Sequence, residues 1–491
     1  MTTSKRKTEG TDSSKTSKKK SQAKPKPTAA AGKTKAARTR SSASGTGIKT
    51  AARSAASVTK TGKSATKSAA GTAKSRKTPA KSTANTTKSR KTGSKSKLYP
   101  IVFNELFVPD EVALAAVQAL CDLKTPYSVS PETDQLFVAA MKESVAWHAA
   151  RNDFYGRVVE MRGFAPSSLQ TVKDCANVPF VLASFFKLHE QLSVPQEQIS
   201  LHLTSSGTTG QKSQIFFDDW SLQSAQRMID FIFAQYGWYS DKPTNYLLYS
   251  YESEADSKLG TAYTDNFLCK YAPVNKVFSA LRRTGAGAHE FDVFGCVDRL
   301  LEFAKDGKPV RIFGFPAFLH FTLERMRDLK REPLKLSPDS LIFLGGGWKG
   351  NADREIDKFE LYRSINELLG IPDERIRDGF GSVEHCIPYV ECEKHQFHVP
   401  TWSRVFVRDL KSLAPLGPGE KGFLHFVSPY ITSVPACSVL MGDLASWYEG
   451  SSCSCKLGTP YFIIHGRAGL SRNKSCAVAA AEMIGKERKQ A

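Results

Sequence analysis

The segment Thr204-Ser205-Ser206-Gly207-Thr208-Thr209-Gly210-Gln211-Lys212-Ser213 is the most informative part of this chain. It lies between two apolar stretches, Ile199–Leu203 and Gln214–Phe217, which predict β-strands. Its two glycines allow a tight turn whose backbone N–H groups approach a phosphate closely, and its hydroxyls and Lys212 add further donors. The Walker pattern does not fit, because Gln211 precedes Lys212 and a strand follows where a helix is required. The segment therefore predicts either another kind of phosphate loop or a hairpin turn rich in Ser, Thr and Gly.

Around this segment, apolar strands alternate with amphipathic helices from Leu98 to about Ile464. The predicted strands are Ile199–Thr204, Gln214–Phe217, Asn245–Ser250, Val310–Phe313, Ser340–Leu344 and Gly422–Val427. The predicted helices, in which apolar residues recur every three or four positions, are Ser221–Gln235, Phe291–Lys305, Ala317–Leu329 and Ala352–Leu369. This alternation predicts an α/β fold with mixed or parallel sheets flanked by helices.

The N-terminal residues 1–97 differ sharply in composition from the rest. They contain 27 Lys or Arg against only Glu9 and Asp12, a net charge of +25, and no aromatic residue, whereas residues 98–491 contain 42 basic and 46 acidic residues. Such a segment buries too little apolar area to offset its conformational entropy, so we predict a long disordered tail. Its charge suits non-specific binding to nucleic acid or another polyanion. A solubilising tail without a single partner is the alternative.

The composition also excludes several classes of protein. No stretch approaches the roughly 18 apolar residues that a membrane span requires. The N-terminus has no apolar segment behind its basic residues, which argues against a signal peptide. The ten cysteines are scattered rather than arranged as a disulfide scaffold, so we expect a reduced, cytoplasmic protein, with nucleoid association through the tail as a possibility.

The string SSGTTGQKS resembles the signature phosphate loop of adenylate-forming enzymes, which activate carboxylic acids with ATP. The resemblance implies that the loop holds the β- and γ-phosphates of ATP while a carboxylate attacks the α-phosphate. The expected nucleotide-binding residues are Ser205, Ser206, Gly207, Thr208, Thr209, Gly210 and the catalytic Lys212.

Further motifs follow in the order of that superfamily. Leu344-Gly345-Gly346-Gly347-Trp348 resembles its glycine-rich turn, in which Gly346 and Gly347 would lie against adenine. Asp378-Gly379-Phe380-Gly381-Ser382-Val383-Glu384 resembles its aromatic-Gly-x-Thr-Glu motif, and Val383 departs from the usual Thr. By this resemblance Phe380 stacks on adenine beside Gly381, Ser382 contacts the α-phosphate, and Glu384 holds Mg²⁺. A carboxylate suits that role, because the departing pyrophosphate is polyanionic and needs a hard cation.

Two shorter motifs complete the series. Met441-Gly442-Asp443-Leu444 resembles the Thr-Gly-Asp-Leu motif whose Asp binds the ribose. Gly466-Arg467 resembles the Gly-Arg pair at the start of the hinge, which implies that Arg467 lies near the phosphate or the ribose. Either dipeptide alone is uninformative, but the motifs occur in family order. The resemblance thus implies an adenylate-forming core over residues 98–466.

Four cysteine and histidine residues suggest a metal site. Cys392 and His398 are followed by Cys453 and Cys455, a pattern similar to that of the phenylacetate–CoA ligase branch, although Lys456 replaces its Gly. Three thiolates and one imidazole suit a closed, tetrahedral, structural Zn²⁺ site. Cys386 and His395 are reserve ligands, and free cysteines with surface histidines are the alternative.

The C-terminal arm, residues 467–491, determines the expected acyl acceptor. Only 24 residues follow Arg467, so we expect a truncated C-terminal lid. The segment Leu470–Glu482, with Cys476, resembles the end of acyl-protein synthetases from the bacterial luciferase fatty-acid reductase complex, as do the Gly-rich run to Lys349 and residues 251–264. In that family a fatty acid is adenylated, transferred to a cysteine near the C-terminus and passed to a reductase. Arg472 and Lys474 would favour the Cys476 thiolate, whereas a cysteine buried in an Ala-rich helix is the alternative.

The sequence therefore predicts an ATP- and Mg²⁺-dependent acid–thiol ligase that acts on a fatty or other carboxylic acid, with an acyl-CoA-reductase-like partner. One alternative is an acyl- or aryl-CoA ligase of the phenylacetate–CoA ligase type. Another is a nucleic-acid-associated protein with a non-catalytic body.

Overall fold

The structure is a computed structural model that describes residues 105–204, 214–252, 267–284 and 289–468. The basic tail, the phosphate loop from Ser205 to Ser213 and the arm from residue 469 onward lie outside the described residues. Among the described residues, no helix combines the length and apolar character that a membrane crossing requires.

The described part contains seven α-helices and fifteen strands, joined by short 3₁₀ turns. The helices are α1 (Ala115–Cys121), α2 (Pro131–Arg151), α3 (Asp153–Met161), α4 (Asp219–Gln235), α5 (Val293–Asp306), α6 (Pro316–Asp328) and α7 (Lys358–Leu369). The first strands are β1 (Val181–Leu182), β2 (Ile199–Thr204), β3 (Gln214–Asp218), β4 (Thr244–Tyr251), β5 (Val274–Arg283), β6 (His289–Phe291), β7 (Val310–Gly314) and β8 (Leu341–Gly345). The others are β9 (Ile376–Phe380), β10 (Tyr389–Val390), β11 (Phe397–His398), β12 (Arg404–Arg408), β13 (Gly422–Val427), β14 (Ser438–Tyr448) and β15 (Tyr461–Arg467).

The larger sheet has seven strands in the order β10-β9-β8-β7-β4-β5-β6. Strands β5, β4, β7, β8 and β9 run parallel, and β6 and β10 pair antiparallel at the two edges. Strand β7 is buried along its whole length, as expected for a central parallel strand covered on both faces. Apolar residues of α5, α6 and α7 cover one face, and α4 packs in the core on the other.

The second sheet has the order β11-β15-β14-β13-β12, and β1 pairs parallel with β14. Strands β2 and β3 form a separate antiparallel hairpin. The predicted α/β class with mixed sheets flanked by helices is confirmed.

All four predicted helix starts differ from the observed ones by one to six residues, and two of them lie too early in the sequence. The helix predicted over Ala352–Leu369 begins at Lys358, because residues 349–354 form 3₁₀ turns and the Asp357 carboxylate caps α7 by accepting the N–H groups of Phe359 and Glu360. The helix predicted from Phe291 begins at Val293, because Phe291 ends β6 and the Asp292 carboxylate accepts the Gly295 N–H. In both cases the capping carboxylate, rather than the apolar pattern, sets the first turn.

Candidate active site

The predicted phosphate loop spans the tip of the β2–β3 hairpin. Thr204 and Gln214 pair antiparallel at its base. Ser205, Ser206, Gly207, Thr208, Thr209, Gly210 and Lys212 all lie outside the described residues. The structure therefore gives the position from which the loop leaves the core, and the roles of its residues stay predictions.

Two of the predicted nucleotide motifs are brought together by the larger sheet. Strands β8 and β9 run parallel with Gly345 opposite Gly379, so the glycine turn and the aromatic motif leave adjacent strands at the same edge. Gly346 and Gly347 follow with φ values of 77° and 67°, a left-handed backbone conformation that residues other than glycine rarely adopt. A Cβ atom at Gly379 would lie 2.7 Å from Cζ of the Phe343 ring, so a larger residue there would require that ring to shift.

Phe380, which ends β9, joins this edge to the second sheet. Its ring is half-buried, and its centroid lies 6.1 Å from that of Phe426 and 5.9 Å from that of Phe462. Phe426 and Phe462 belong to β13 and β15, the strands on either side of β14. The ring expected to stack on adenine is therefore supported from behind by aromatic packing.

The residues after Phe380 form a polar corner. Gly381 is exposed, and the Ser382 hydroxyl is buried without a hydrogen-bond partner among the described residues. Such an orphaned hydroxyl fits a group that meets a ligand oxygen. Glu384 is 4% exposed, and a single carboxylate fits a nucleotide-bound Mg²⁺, which takes one or two carboxylates together with phosphate oxygens.

Asp443 and Arg467 face each other across the β14–β15 pair. They are register partners, and Arg467 Nε lies 3.3 Å from Asp443 Oδ1. Burial raises the pKa of Asp443 above its usual value, and the charges of Arg467 and Lys187 partly offset this. The guanidinium of Arg467 is largely exposed, so it is available to a ligand.

The four predicted metal ligands meet in space. The side-chain donor atoms of Cys392, His398, Cys453 and Cys455, hereafter the Cys/His cluster, all lie within 4.8 Å of one another. Cys392 Sγ lies 3.8 Å from Cys453 Sγ, and Cys455 Sγ lies 3.2 Å from His398 Nε2. A tetrahedral Zn²⁺ with bonds of about 2.3 Å to sulfur and about 2.0 Å to nitrogen separates two sulfurs by about 3.8 Å.

Hydrogen bonds from neighbouring groups orient the side chains of the Cys/His cluster in a way that suits cation binding. The His398 Nδ1–H donates to the Thr459 carbonyl at 2.7 Å, which leaves the lone pair on Nε2, the atom that faces Cys455. The N–H groups of Lys394 and Leu457 donate to Cys392 Sγ and Cys455 Sγ at 3.3 and 3.4 Å. Burial raises the pKa of Cys455 to about 12, so its thiolate needs a bound cation. These residues fit Zn²⁺.

Lys456 and the two reserve ligands have other surroundings. Lys456 stands where the related pattern has Gly and adopts a φ of 70°, so the turn keeps a glycine-like conformation. The Cys386 thiol donates to the Val383 carbonyl at 3.0 Å, and the His395 ring lies between two carboxylates. Neither Cys386 nor His395 is part of the Cys/His cluster.

The sequence profile described as "Acyl-protein synthetase, LuxE" matches residues 110–484. The chain belongs to the LuxE acyl-protein synthetase family. It is similar to the long-chain-fatty-acid–luciferin-component ligase of Vibrio harveyi, with 24% identity over 334 residues that cover 68% of this chain and 85% of that protein. The Aliivibrio fischeri protein of the same name is 25% identical over 351 residues, 70% of this chain and 88% of that protein.

Solved structures agree on the fold. The chain resembles 2-hydroxyisobutyryl-CoA ligase in complex with 2-HIB-AMP and CoA in the thioesterification state, with a TM-score of 0.53, 17% identity, and coverage of 76% of this chain and 75% of that one. An open conformation of the same ligase gives a TM-score of 0.52 and 16% identity, and covers 75% and 82%. As a LuxE family member with the adenylate-forming fold, the protein is an acid–thiol ligase.

Two features of this LuxE family member were not anticipated from its sequence. Lys187 lies in a 3₁₀ turn after β1, and the pairing of β1 with β14 places its charge near Asp443. Glu391 is a fully buried carboxylate next in sequence to Cys392 of the Cys/His cluster. No short motif contains either residue, since each acquires its neighbours only through tertiary contacts. Cys476, the expected acyl acceptor, lies outside the described residues.

Proposed function

We propose that this protein uses ATP to activate a long-chain fatty acid as an acyl-adenylate, and then transfers the acyl group to Cys476 for delivery to a partner reductase. The observation that carries the proposal is the LuxE family match across residues 110–484. The name of the relatives, long-chain-fatty-acid–luciferin-component ligase, supports the substrate class. The clustering of the nucleotide motifs around Gly345, Gly379 and Phe380 supports the use of ATP.

In the first half-reaction a carboxylate oxygen of the fatty acid attacks the α-phosphorus of ATP, and pyrophosphate leaves. The glycine turn and Phe380 would hold adenine, Asp443 would accept the ribose hydroxyls, and the phosphate loop with Lys212 would hold the β- and γ-phosphates. Ser382 would donate its hydroxyl near the α-phosphate. Mg²⁺ held by Glu384 would supply charge neutralisation when bound. Most of the rate enhancement then comes from positioning and electrostatics.

In the second half-reaction the Cys476 thiolate attacks the acyl carbonyl carbon, and AMP leaves with the electron pair of the cleaved C–O bond. The product is a thioester on the arm, which an acyl-CoA-reductase-like protein would then reduce. Arg472 and Lys474 support the assignment, because nearby positive charge lowers the pKa of a thiol. The Cys/His cluster would hold a structural Zn²⁺ that takes no part in these steps, since all four coordination positions would be filled by protein ligands.

The test is the intact mass of the purified protein after incubation with Mg-ATP and a mixture of fatty acids, beside Cys476→Ser. We expect a mass gain of one acyl group that hydroxylamine removes and that the variant lacks. Cys121→Ser is the matched control, because Cys121 is a buried core cysteine and its replacement should leave the adduct in place. Pyrophosphate release without an adduct in either protein would refute the role of Cys476, and a CoA-dependent product would establish a CoA ligase instead.

A further inference from the structure

Glu391 lies at the centre of a buried polar network between the candidate nucleotide site and the Cys/His cluster. Its side chain is fully buried, and its carboxylate accepts hydrogen bonds from four groups. Oε1 accepts from Lys358 Nζ, and Oε2 accepts from the Tyr362 hydroxyl at 3.0 Å, the Asp378 N–H at 2.9 Å and His395 Nδ1 at 3.1 Å.

These four donors come from three different parts of the fold. Lys358 and Tyr362 lie on α7, Asp378 lies on β9, and His395 lies in the turn between Cys392 and His398. The Glu391 N–H also donates to the Asp378 carbonyl at 3.0 Å, so Asp378 is held to Glu391 at both its backbone N–H and its backbone carbonyl. Glu391 therefore joins α7 and the metal-ligand turn to a single residue of β9.

Asp378 begins the segment that resembles the adenine motif and lies two residues before Phe380. Asp378 is followed by Gly379, which lies opposite Gly345, and by Phe380, which ends the strand. The Asp378 carboxylate accepts the Gly379 N–H at 2.8 Å, which fixes the next peptide group as well. The backbone is thus held at the two residues that precede Phe380, whose ring would stack on adenine.

Stability alone is a poor reason for this arrangement. Removing the Glu391 carboxylate from water is costly, and well-packed apolar side chains commonly stabilise a core as well or better. A carboxylate that accepts four directed hydrogen bonds instead fixes the relative positions of the elements that donate them. The hydrogen bonds of the Glu391 carboxylate are therefore better suited to fixing the positions of these elements than to stabilising the fold.

We propose that Glu391 is a positioning residue that holds the Asp378-Gly379-Phe380 end of β9 in the orientation that binds the adenine of ATP. This inference rests on the proposed function, because it requires that Phe380 contact the nucleotide. Glu391 itself acts through Asp378 and touches no substrate.

The experiment compares binding of Mg-ATP to the full chain by titration calorimetry in the wild type, Glu391→Gln and Asp230→Asn. Asp230 is a matched control, since it is 4% exposed and paired with Lys270 Nζ and the Tyr271 hydroxyl, both at 2.6 Å, where α4 meets the turn before β5. We expect the Kd for Mg-ATP to rise about tenfold in Glu391→Gln and to stay unchanged in Asp230→Asn. The KM for the fatty acid should be unchanged in both variants.

A more conservative variant tests the same role if Glu391→Gln does not fold. Tyr362→Phe keeps the ring and removes one donor to Glu391, so it should raise the Kd for Mg-ATP about threefold. Wild-type affinity in a folded Glu391→Gln protein, or an equal loss in Asp230→Asn, would overturn the positioning role. Failure of the wild type to bind Mg-ATP would instead remove the proposed function, and this inference with it.

Discussion

Replacement of Cys453 by Ser should remove zinc from the purified protein and destabilise it. Cys453 Sγ lies 3.8 Å from Cys392 Sγ, which is the separation that a tetrahedral Zn²⁺ imposes on two thiolates with bonds of about 2.3 Å. A serine hydroxyl stays protonated near neutral pH, so one of the four ligands is lost. For a metal present at about 1,000 times its Kd, loss of binding costs about 4 kcal/mol of unfolding free energy.

The expected structural effect is centred on the β14–β15 connection and the turn between β10 and β11. Cys453 and Cys455 lie in the connection between β14 and β15. Cys392 lies in the turn between β10 and β11, and His398 is the last residue of β11. A bound Zn²⁺ would therefore tie the β14–β15 connection to the turn that follows β10. Its loss frees the end of the hairpin opposite Asp443 and Arg467 and should leave Mg-ATP binding measurable at low temperature.

The assay combines elemental analysis of the purified chain with thermal unfolding in the presence and absence of a chelator. We expect one Zn²⁺ per wild-type chain, a lower unfolding temperature after chelation, and no further effect of the chelator on Cys453→Ser. Cys175→Ser is the control, because Cys175 is a buried cysteine outside the Cys/His cluster. A wild-type protein without zinc, or a Cys453→Ser protein with full zinc content, would refute the metal assignment.

Three further measurements test other parts of the molecule. Asp443→Asn should raise the KM for ATP by about 10- to 100-fold, the cost of a lost charged hydrogen bond to the ribose, and steady-state kinetics with unchanged values would exclude that contact. Burial lowers the pKa of His148 to about 4, so its contribution to stability is complete above pH 6.5 and lost as the pH falls towards 4. Denaturant unfolding should show a loss of about 3 kcal/mol over that range, and His148→Gln should show a flatter pH profile. The full chain should bind duplex DNA with a steep dependence on salt that residues 98–491 lack, and equal binding by both would remove the tail from that role.

Much of the fold was predictable because its signals are local. The strand Gly422–Val427 was predicted with the bounds that the structure shows, since a short apolar run between turn residues is a β signal that needs no partner. The start of α7 was not predictable from apolar spacing, because the capping contact of Asp357 overrides the pattern that continues upstream. The four candidate metal ligands were predicted from their residue types and the resemblance of their spacing, and only the structure shows that their donor atoms lie within 4.8 Å of one another.

The sequence by itself determined the family, the order of the nucleotide motifs and the residue types that each motif offers. Those properties lie in short stretches of chain, whose chemistry can be recognised without knowing what they touch. Only the tertiary structure decided which motifs meet. The parallel register of β8 and β9 sets Gly345 against Gly379, and the antiparallel register of β14 and β15 sets Asp443 against Arg467. Glu391 acquires its partners from α7 and β9 in the same way, because register and packing between distant segments depend on the whole core rather than on local sequence.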